Sequence, residues 1–146
     1  MRARVDVAAI VHTTDSLIGQ PRVAVIDDRP PRVNLVLRTL AGARFRARGF
    51  TSPREALDVL ASVRFDAVIT DHRMGEFDAT TLCARLRDKH GAQAPRVVLL
   101  TRSIHDVMIP DRELFASILE KPVSPAGLLV AIERALAPVR AARRLA

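Results

Sequence analysis

The chain is poor in aromatic side chains and in cysteine. Aromatic residues make up 3% of its 146 residues, and tryptophan and tyrosine are absent. Without these rings the chain lacks the stacking platforms that single-stranded nucleic acid needs. The single cysteine, Cys83, excludes an internal disulfide and fits a reducing cytoplasm. Because Cys83 forms a helical pattern with Leu82 and Leu86, we expect it to be a small buried hydrophobic residue.

Long hydrophobic runs are also absent. No apolar run approaches the length needed to cross a bilayer, so no membrane association is expected. The N-terminal stretch has a short apolar patch behind two arginines, but it contains Asp6 and lacks a small-residue cleavage site, which argues against a signal peptide. We expect an N-terminal extension at 1–20, one folded domain at 21–137 and a basic C-terminal tail at 138–146.

Lysine is scarce although the chain is strongly basic. The net charge is +7. Lys89 and Lys121 are the only lysines, and arginine supplies all the other positively charged side chains. A strongly basic chain raises the question of a nucleic-acid partner. The arginines are scattered along the sequence, and no recognition-helix motif is found. We therefore expect no sequence-specific DNA binding.

Short apolar stretches that alternate with helical patterns dominate the rest of the sequence. Hydrophobic residues make up 49% of the chain, which predicts a folded globular protein. Five stretches are predicted strands: 22–28, 44–50, 65–71, 96–101 and 117–122. Continuous apolar strands imply burial on both faces and hence a parallel sheet. With right-handed crossovers, the pattern predicts a doubly wound α/β domain.

Proline, glycine and capping residues mark the helices between these strands. Pro30 favours the start of the first helix, and Ser52 with Glu55 forms a capping box at the second. Gly91 ends the third helix, and Ser124 caps the last. Each predicted strand is therefore separated from the next by a connection long enough for a parallel crossover.

Polar side chains stand at the ends of four predicted strands. They are Asp27 and Asp28 at the end of the first strand, Asp71 at the end of the third, Thr101 at the end of the fourth and Lys121 at the end of the fifth. Because parallel strands end at one edge of a sheet, we expect these side chains to meet. Three carboxylates would repel one another, and Mg²⁺ would relieve that repulsion. A hydroxyl and an ammonium beside the metal suit a phosphoryl group, which a carboxylate nucleophile can accept.

The segment 21–137 resembles the receiver domain of two-component response regulators. The resemblance is carried by VAVIDD, VITDHRM, VVLLT and LEKP, in this order and at this spacing. It implies a flavodoxin-like fold with a five-stranded parallel sheet in the order 2-1-3-4-5. It also implies that a histidine kinase passes a phosphoryl group to an aspartate in the presence of Mg²⁺. The resemblance further implies that the domain catalyses only its own phosphoryl acceptance and its own slow dephosphorylation. In other respects it is not expected to be an enzyme.

The resemblance implies a role for each acidic strand end. Asp71 would accept the phosphoryl group. Asp28 and Asp71 would hold the metal directly, Asp27 would act through a water, and the backbone carbonyl of Arg73 would complete the set. These four residues form the expected magnesium site.

The resemblance also implies that Thr101 and Lys121 bind the phosphoryl oxygens. A hydroxyl and a primary ammonium suit this role, since both are hydrogen-bond donors. In a chain with two lysines, a lysine placed before proline at a strand end is unlikely to arise by chance. His72 follows the expected acceptor directly and is interpreted as an ordinary loop residue.

Four positions depart from the family pattern. The family usually has Met-Pro after the acceptor region, whereas this chain has Met74-Gly75. Arg102 stands where Ala or Gly is usual, and we expect it to modulate the lifetime of the phosphoryl group. Ile118 replaces the usual Tyr or Phe, so the aromatic rotamer change that reports phosphorylation is not expected there. Pro110 weakens the helix expected between the fourth and fifth strands.

Two other classes of function remain open from the residues. A degenerate receiver would act as a phosphate-independent binding or dimerisation module. A small hydrolase with an aspartate nucleophile would need a second carboxylate just past Asp71, where the chain has His72 and Arg73. We expect a stand-alone receiver whose partners are a histidine kinase or phosphotransfer protein and a downstream protein, a homodimer being one option.

Overall fold

A computed structural model describes residues 19–145 of the chain. The predicted N-terminal extension at 1–20 lies outside these residues, apart from Gly19 and Gln20. Within residues 19–145, no helix combines the length and the apolar composition that crossing a membrane requires.

Five parallel strands form one sheet at the centre of the described structure. The strands are β1 (Arg22–Ile26), β2 (Arg46–Phe50), β3 (Ala67–Asp71), β4 (Arg96–Thr101) and β5 (Ser117–Glu120). They are ordered β2-β1-β3-β4-β5, and each neighbouring pair is parallel. The predicted doubly wound α/β fold with strand order 2-1-3-4-5 is confirmed.

Four α-helices cover the two faces of this sheet. They are α1 (Pro30–Ala41), α2 (Pro53–Ser62), α3 (Ala79–His90) and α4 (Pro125–Leu145). Along β1, Val23 and Val25 pack into the core shared with α1 and α4, while Ala24 and Ile26 pack into the core shared with α2 and α3. Burial on both faces explains why this strand is continuously apolar.

Capping residues hold the ends of α2 and α3. The hydroxyl of Ser52 accepts a hydrogen bond from the Glu55 backbone N–H at 3.1 Å, as the capping box predicts. At the start of α3, Asp78 accepts from the Thr81 N–H at 2.9 Å. The helix ends at Gly91, whose φ of 57° favours glycine. The cap at Asp78 thereby fixes the far end of the loop that follows β3.

The segment between β4 and β5 contains no α-helix. It forms two 3₁₀ helices, Ile104–Asp106 and Ile109–Leu114. The expected weakening of a helix in this segment is thus observed, and Pro110 lies in the first turn of the second 3₁₀ helix, where proline is tolerated. Arg112 holds the segment together, because its guanidinium donates to two carbonyl oxygens of the preceding residues, at 3.1 Å in each case.

The last helix continues beyond the boundary predicted at 137. Residues in the predicted tail, 138–146, are helical as far as Leu145, with Pro138 inside the helix. Pro138 removes one helical hydrogen bond, but the helix also gains a tertiary contact. The Arg143 guanidinium donates to the buried carboxylate of Asp66 at 2.9 Å. The local sequence pattern gives no sign of this contact, which explains why the helix extends past the boundary predicted at 137.

Candidate functional site

Three carboxylates meet where β1 and β3 end. Asp27 and Asp28 directly follow β1, and Asp71 is the last residue of β3, which pairs with β1. One carboxylate oxygen from each residue lies within 4.8 Å of the others. The juxtaposition expected from strand order is therefore observed, and it presents hard oxygen donors of the kind that Mg²⁺ binds.

Two cations lie beside the Asp71 carboxylate. Asp71 is buried, and the Lys121 ammonium donates to its Oδ1 atom. Lys121 is held in place by its backbone N–H, which donates to the Thr101 carbonyl at 2.8 Å. On the other side, Nη1 of Arg32 lies 3.8 Å from Oδ2 of Asp71. Sequence reasoning missed Arg32, although its position in the first turn of the helix after β1 places it near the carboxyl edge of the sheet.

The environment of Asp27 disfavours its charge. Burial raises the pKa of the Asp27 carboxyl, the hydrogen bond from the Arg29 backbone N–H opposes that change, and the charge of Asp71 raises it further. Asp28 is exposed, and its Oδ2 accepts from the Gly75 N–H at 3.4 Å. A divalent cation would compensate both the burial of Asp27 and the mutual repulsion of the carboxylates, so these residues fit a magnesium ion.

The hydroxyl of Thr101 lies at the end of β4 and is buried. Its Oγ1 donates to the Ser103 carbonyl at 3.1 Å and lies 3.3 Å from Nδ1 of His72. His72 lies in the loop after β3, as expected, but it is 8% exposed and contacts Thr101, which the sequence did not predict. Its burial depends on strand packing, which the sequence around Asp71 does not show.

A match to a family model identifies the family of the chain. A family model described as the response regulator receiver domain matches residues 23–133. The chain belongs to this family. The match begins at the second residue of β1 and includes the other four strands. It also includes every candidate site residue named above.

Solved receiver structures share this fold. The chemotaxis response regulator CheY4 of Vibrio cholerae is 24% identical, with a TM-score of 0.73, over 80% of this chain and 99% of that one. TrrA of Thermotoga maritima, in complex with Mg(2+)-BeF, is 21% identical, with a TM-score of 0.73, over 80% and 100% of the two chains. The signal receiver domain of an HD domain-containing protein from Pseudomonas fluorescens Pf-5 is 23% identical, with a TM-score of 0.75, over 86% and 93%.

At these identities the similarity shows the fold alone, and the roles of individual residues have to be argued from the geometry of this chain. No curated protein matches the chain in sequence.

The region around Asp71 in this receiver domain opens into a cleft of about 330 Å³. Basic side chains outnumber acidic ones in its lining, which contains five of the former and three of the latter. The basic side chains are Arg29, Arg32, Arg73, Arg102 and Lys121. Arg73 and Arg102 are exposed at the rim, as the position of Arg102 after β4 predicts. An anionic group that enters the cleft therefore meets excess positive charge.

Two departures from the family pattern have local structural consequences. Gly75 is exposed, and a Cβ atom at this position would meet no atom within 4 Å, so no steric contact requires glycine there. Ile118 is partly buried and packs against the core on the side of α2 and α3. The position where the family usually has Tyr or Phe is thus filled by an aliphatic side chain.

Proposed function

We propose that this receiver domain accepts a phosphoryl group on Asp71 in a magnesium-dependent step of two-component signalling. The observation that carries the proposal is the position of the Asp71 carboxylate. It is buried, it belongs to the three-carboxylate group, and it is hydrogen bonded to Lys121. This arrangement supports the proposal, because it brings a carboxylate that could act as nucleophile close to possible metal ligands and to a cation for the transferred charge.

The acidic residues of the cleft would hold the metal. Asp28 and Asp71 would bind Mg²⁺ directly, Asp27 would act through a water, and the Arg73 carbonyl would complete the protein ligands. The close approach of the three carboxylates supports this assignment. When bound, Mg²⁺ would neutralise charge on the transferring phosphoryl group.

The transfer itself exchanges one bond to phosphorus for another. An oxygen of the Asp71 carboxylate forms a bond to phosphorus while the bond from phosphorus to the donor imidazole nitrogen breaks. The imidazole leaves with the bonding electron pair and takes a proton from solvent. The Lys121 ammonium and the Thr101 hydroxyl donate hydrogen bonds to the phosphoryl oxygens, which stabilises the charge spread over them.

Arg102 would lengthen the lifetime of the phosphorylated state. Its side chain lines the same cleft as Asp71 and Lys121, and it is exposed at the rim. In that position it narrows the entrance for the water that hydrolyses the acyl phosphate. Replacement by Ala or Gly, the residues usual in the family, would open that entrance.

The donor in this proposal is a histidine kinase or a phosphotransfer protein, and the output is contact with a downstream protein. A homodimer is an alternative output of the same switch. The excess of basic side chains around the acceptor suits a donor whose docking surface is acidic. We propose that the reaction takes place in the cytoplasm. We expect the protein to act without sequence-specific DNA binding.

Incubation with acetyl phosphate and Mg²⁺ tests the proposed function, with intact mass as the measurement. We expect one phosphoryl group per chain, and none when EDTA removes the metal. A chain that gains no phosphoryl group in Mg²⁺ would be a degenerate receiver that acts as a binding or dimerisation module. A chain that consumes acetyl phosphate over many turnovers would be a hydrolase. Either of the last two results contradicts the proposal.

A further inference from the structure

The closest polar contact of the Thr101 hydroxyl, apart from its own loop, is the imidazole of His72. Both side chains are buried, with exposures of 1% for Thr101 and 8% for His72. Oγ1 of Thr101 lies 3.3 Å from Nδ1 of His72 and 3.1 Å from the carbonyl oxygen of Ser103. The Thr101 hydroxyl thus has two hydrogen-bond partners among the described residues, and neither is the Asp71 carboxylate.

The protons of this group can be assigned from donor capacity. A hydroxyl has one proton to donate, and a carbonyl oxygen can only accept. The Thr101 hydroxyl therefore donates to Ser103. The contact with His72 then requires a proton on the ring, so Nδ1–H donates to a lone pair of Oγ1. A neutral His72 ring consequently carries its proton on Nδ1.

Backbone hydrogen bonds fix the main chain from which the His72 ring projects. The His72 N–H donates to the Leu100 carbonyl at 3.1 Å, and the His72 carbonyl accepts from the Ala79 N–H at 2.9 Å. These bonds attach the residue to β4 on one side and to the first turn of α3 on the other. A donor that is buried and fixed at both ends can hold the oxygen it contacts in one place.

We propose that His72 is a positioning residue that anchors Oγ1 of Thr101 for phosphoryl binding. This inference rests on the proposed function. To reach a phosphoryl oxygen, the Thr101 hydroxyl has to release Ser103 and turn its proton, while Nδ1–H keeps donating to Oγ1. A hydroxyl that donates to an anion becomes a better acceptor, so the bond from His72 strengthens when the phosphoryl group is bound. His72 therefore favours the phosphoryl-bound state over the resting state.

Affinity for beryllofluoride in the presence of Mg²⁺ tests this role. We expect His72→Leu to weaken that affinity by about three- to tenfold, the size of one hydrogen bond. His72→Asn should restore most of the loss, because its amide N–H lies near the position of Nδ1. In a Thr101→Val background, which lacks Oγ1, His72→Leu should change the affinity little. Equal effects of His72→Leu in both backgrounds, or no effect in either, would overturn the proposal.

The ring tautomer of the wild-type protein supplies a second measurement that needs no bound ligand. Nitrogen-15 NMR of the His72 ring should show the neutral ring protonated on Nδ1. Protonation on Nε2 alone would overturn the anchor even if the protein binds beryllofluoride. If the wild type binds no beryllofluoride, the proposed function fails and this inference fails with it. If the wild type binds beryllofluoride and His72→Leu binds it with the affinity of the wild type, only this inference fails.

Discussion

The carboxylate of Asp71 lies between two cations of different chemistry. Lys121 is a compact ammonium hydrogen bonded to one oxygen, and Arg32 is a planar guanidinium 3.8 Å from the other. The Arg32 side chain is 38% exposed, so its charge is partly screened by water. Its attraction for a phosphoryl group should accordingly be smaller than that of Lys121.

Arg32→Ala should weaken the affinity for beryllofluoride in Mg²⁺ by about two- to fivefold, the range expected for a partly exposed ion pair. Isothermal titration of the metal-saturated protein would measure it. Arg29→Ala is a matched control, because Arg29 lines the same cleft and its contribution to Asp27 comes from the backbone N–H. Equal losses in both variants would show a general charge effect rather than a contact with the acceptor.

Burial also determines the chemistry of the thiol of Cys83. Cys83 is 2% exposed in the core between α3 and the sheet, as its helical pattern predicted. Desolvation by this burial raises the pKa of the thiol to about 12. The native protein at pH 8 therefore contains almost no thiolate, which is the reactive form.

A disulfide reagent such as Ellman's reagent should react with Cys83 at pH 8 only when the protein unfolds. Labelling in buffer should be much slower than for a free thiol, and it should become rapid in urea above the unfolding midpoint. Rapid labelling of the native protein, at the rate of an exposed thiol, would contradict the assigned burial and its effect on the pKa.

Among the elements, the extended C-terminal half of α4 has a structural role. Arg143 reaches Asp66, whose side chain is 4% exposed and also accepts from the Arg22 N–H at 2.9 Å. The pair ties the end of α4 to the residue before β3. Removal of the cation from this buried carboxylate would destabilise the folded protein.

Arg143→Ala should lower the free energy of unfolding by about 1 kcal/mol, because it removes a charged partner from a buried acceptor while one hydrogen bond remains. Urea denaturation would measure the change. Arg144→Ala removes an exposed charge from the adjacent position and should stay within about 0.5 kcal/mol of the wild type. If the two variants lose equal stability, the contact with Asp66 contributes nothing specific.

Over the whole molecule, the sheet explains why the site could be predicted in outline. Parallel strands end at one edge, so the residues at the ends of β1, β3, β4 and β5 or directly after them had to meet there once the strands were recognised. That rule was enough to bring together Asp27, Asp28, Asp71, Thr101 and Lys121. It depends only on apolar runs and on their order, both of which are visible in the sequence.

Contacts between elements were beyond the reach of the same reasoning. The approach of Arg32 to Asp71 depends on how α1 packs on the sheet. The burial of His72 depends on hydrogen bonds to β4 and α3. The continuation of α4 past Pro138 is accompanied by a pair between Arg143 and a residue 77 positions earlier. Local periodicity carries no information about such distant pairs.

The central claim is that Asp71 accepts the phosphoryl group, and intact mass after incubation with acetyl phosphate and Mg²⁺ tests it most directly. The wild type should gain one phosphoryl group, and Asp71→Asn should gain none, because an amide is a poor nucleophile. Asp106→Asn, which changes an exposed carboxylate in the same cleft, should label like the wild type. Labelling of Asp71→Asn to the extent of the wild type would contradict the assignment.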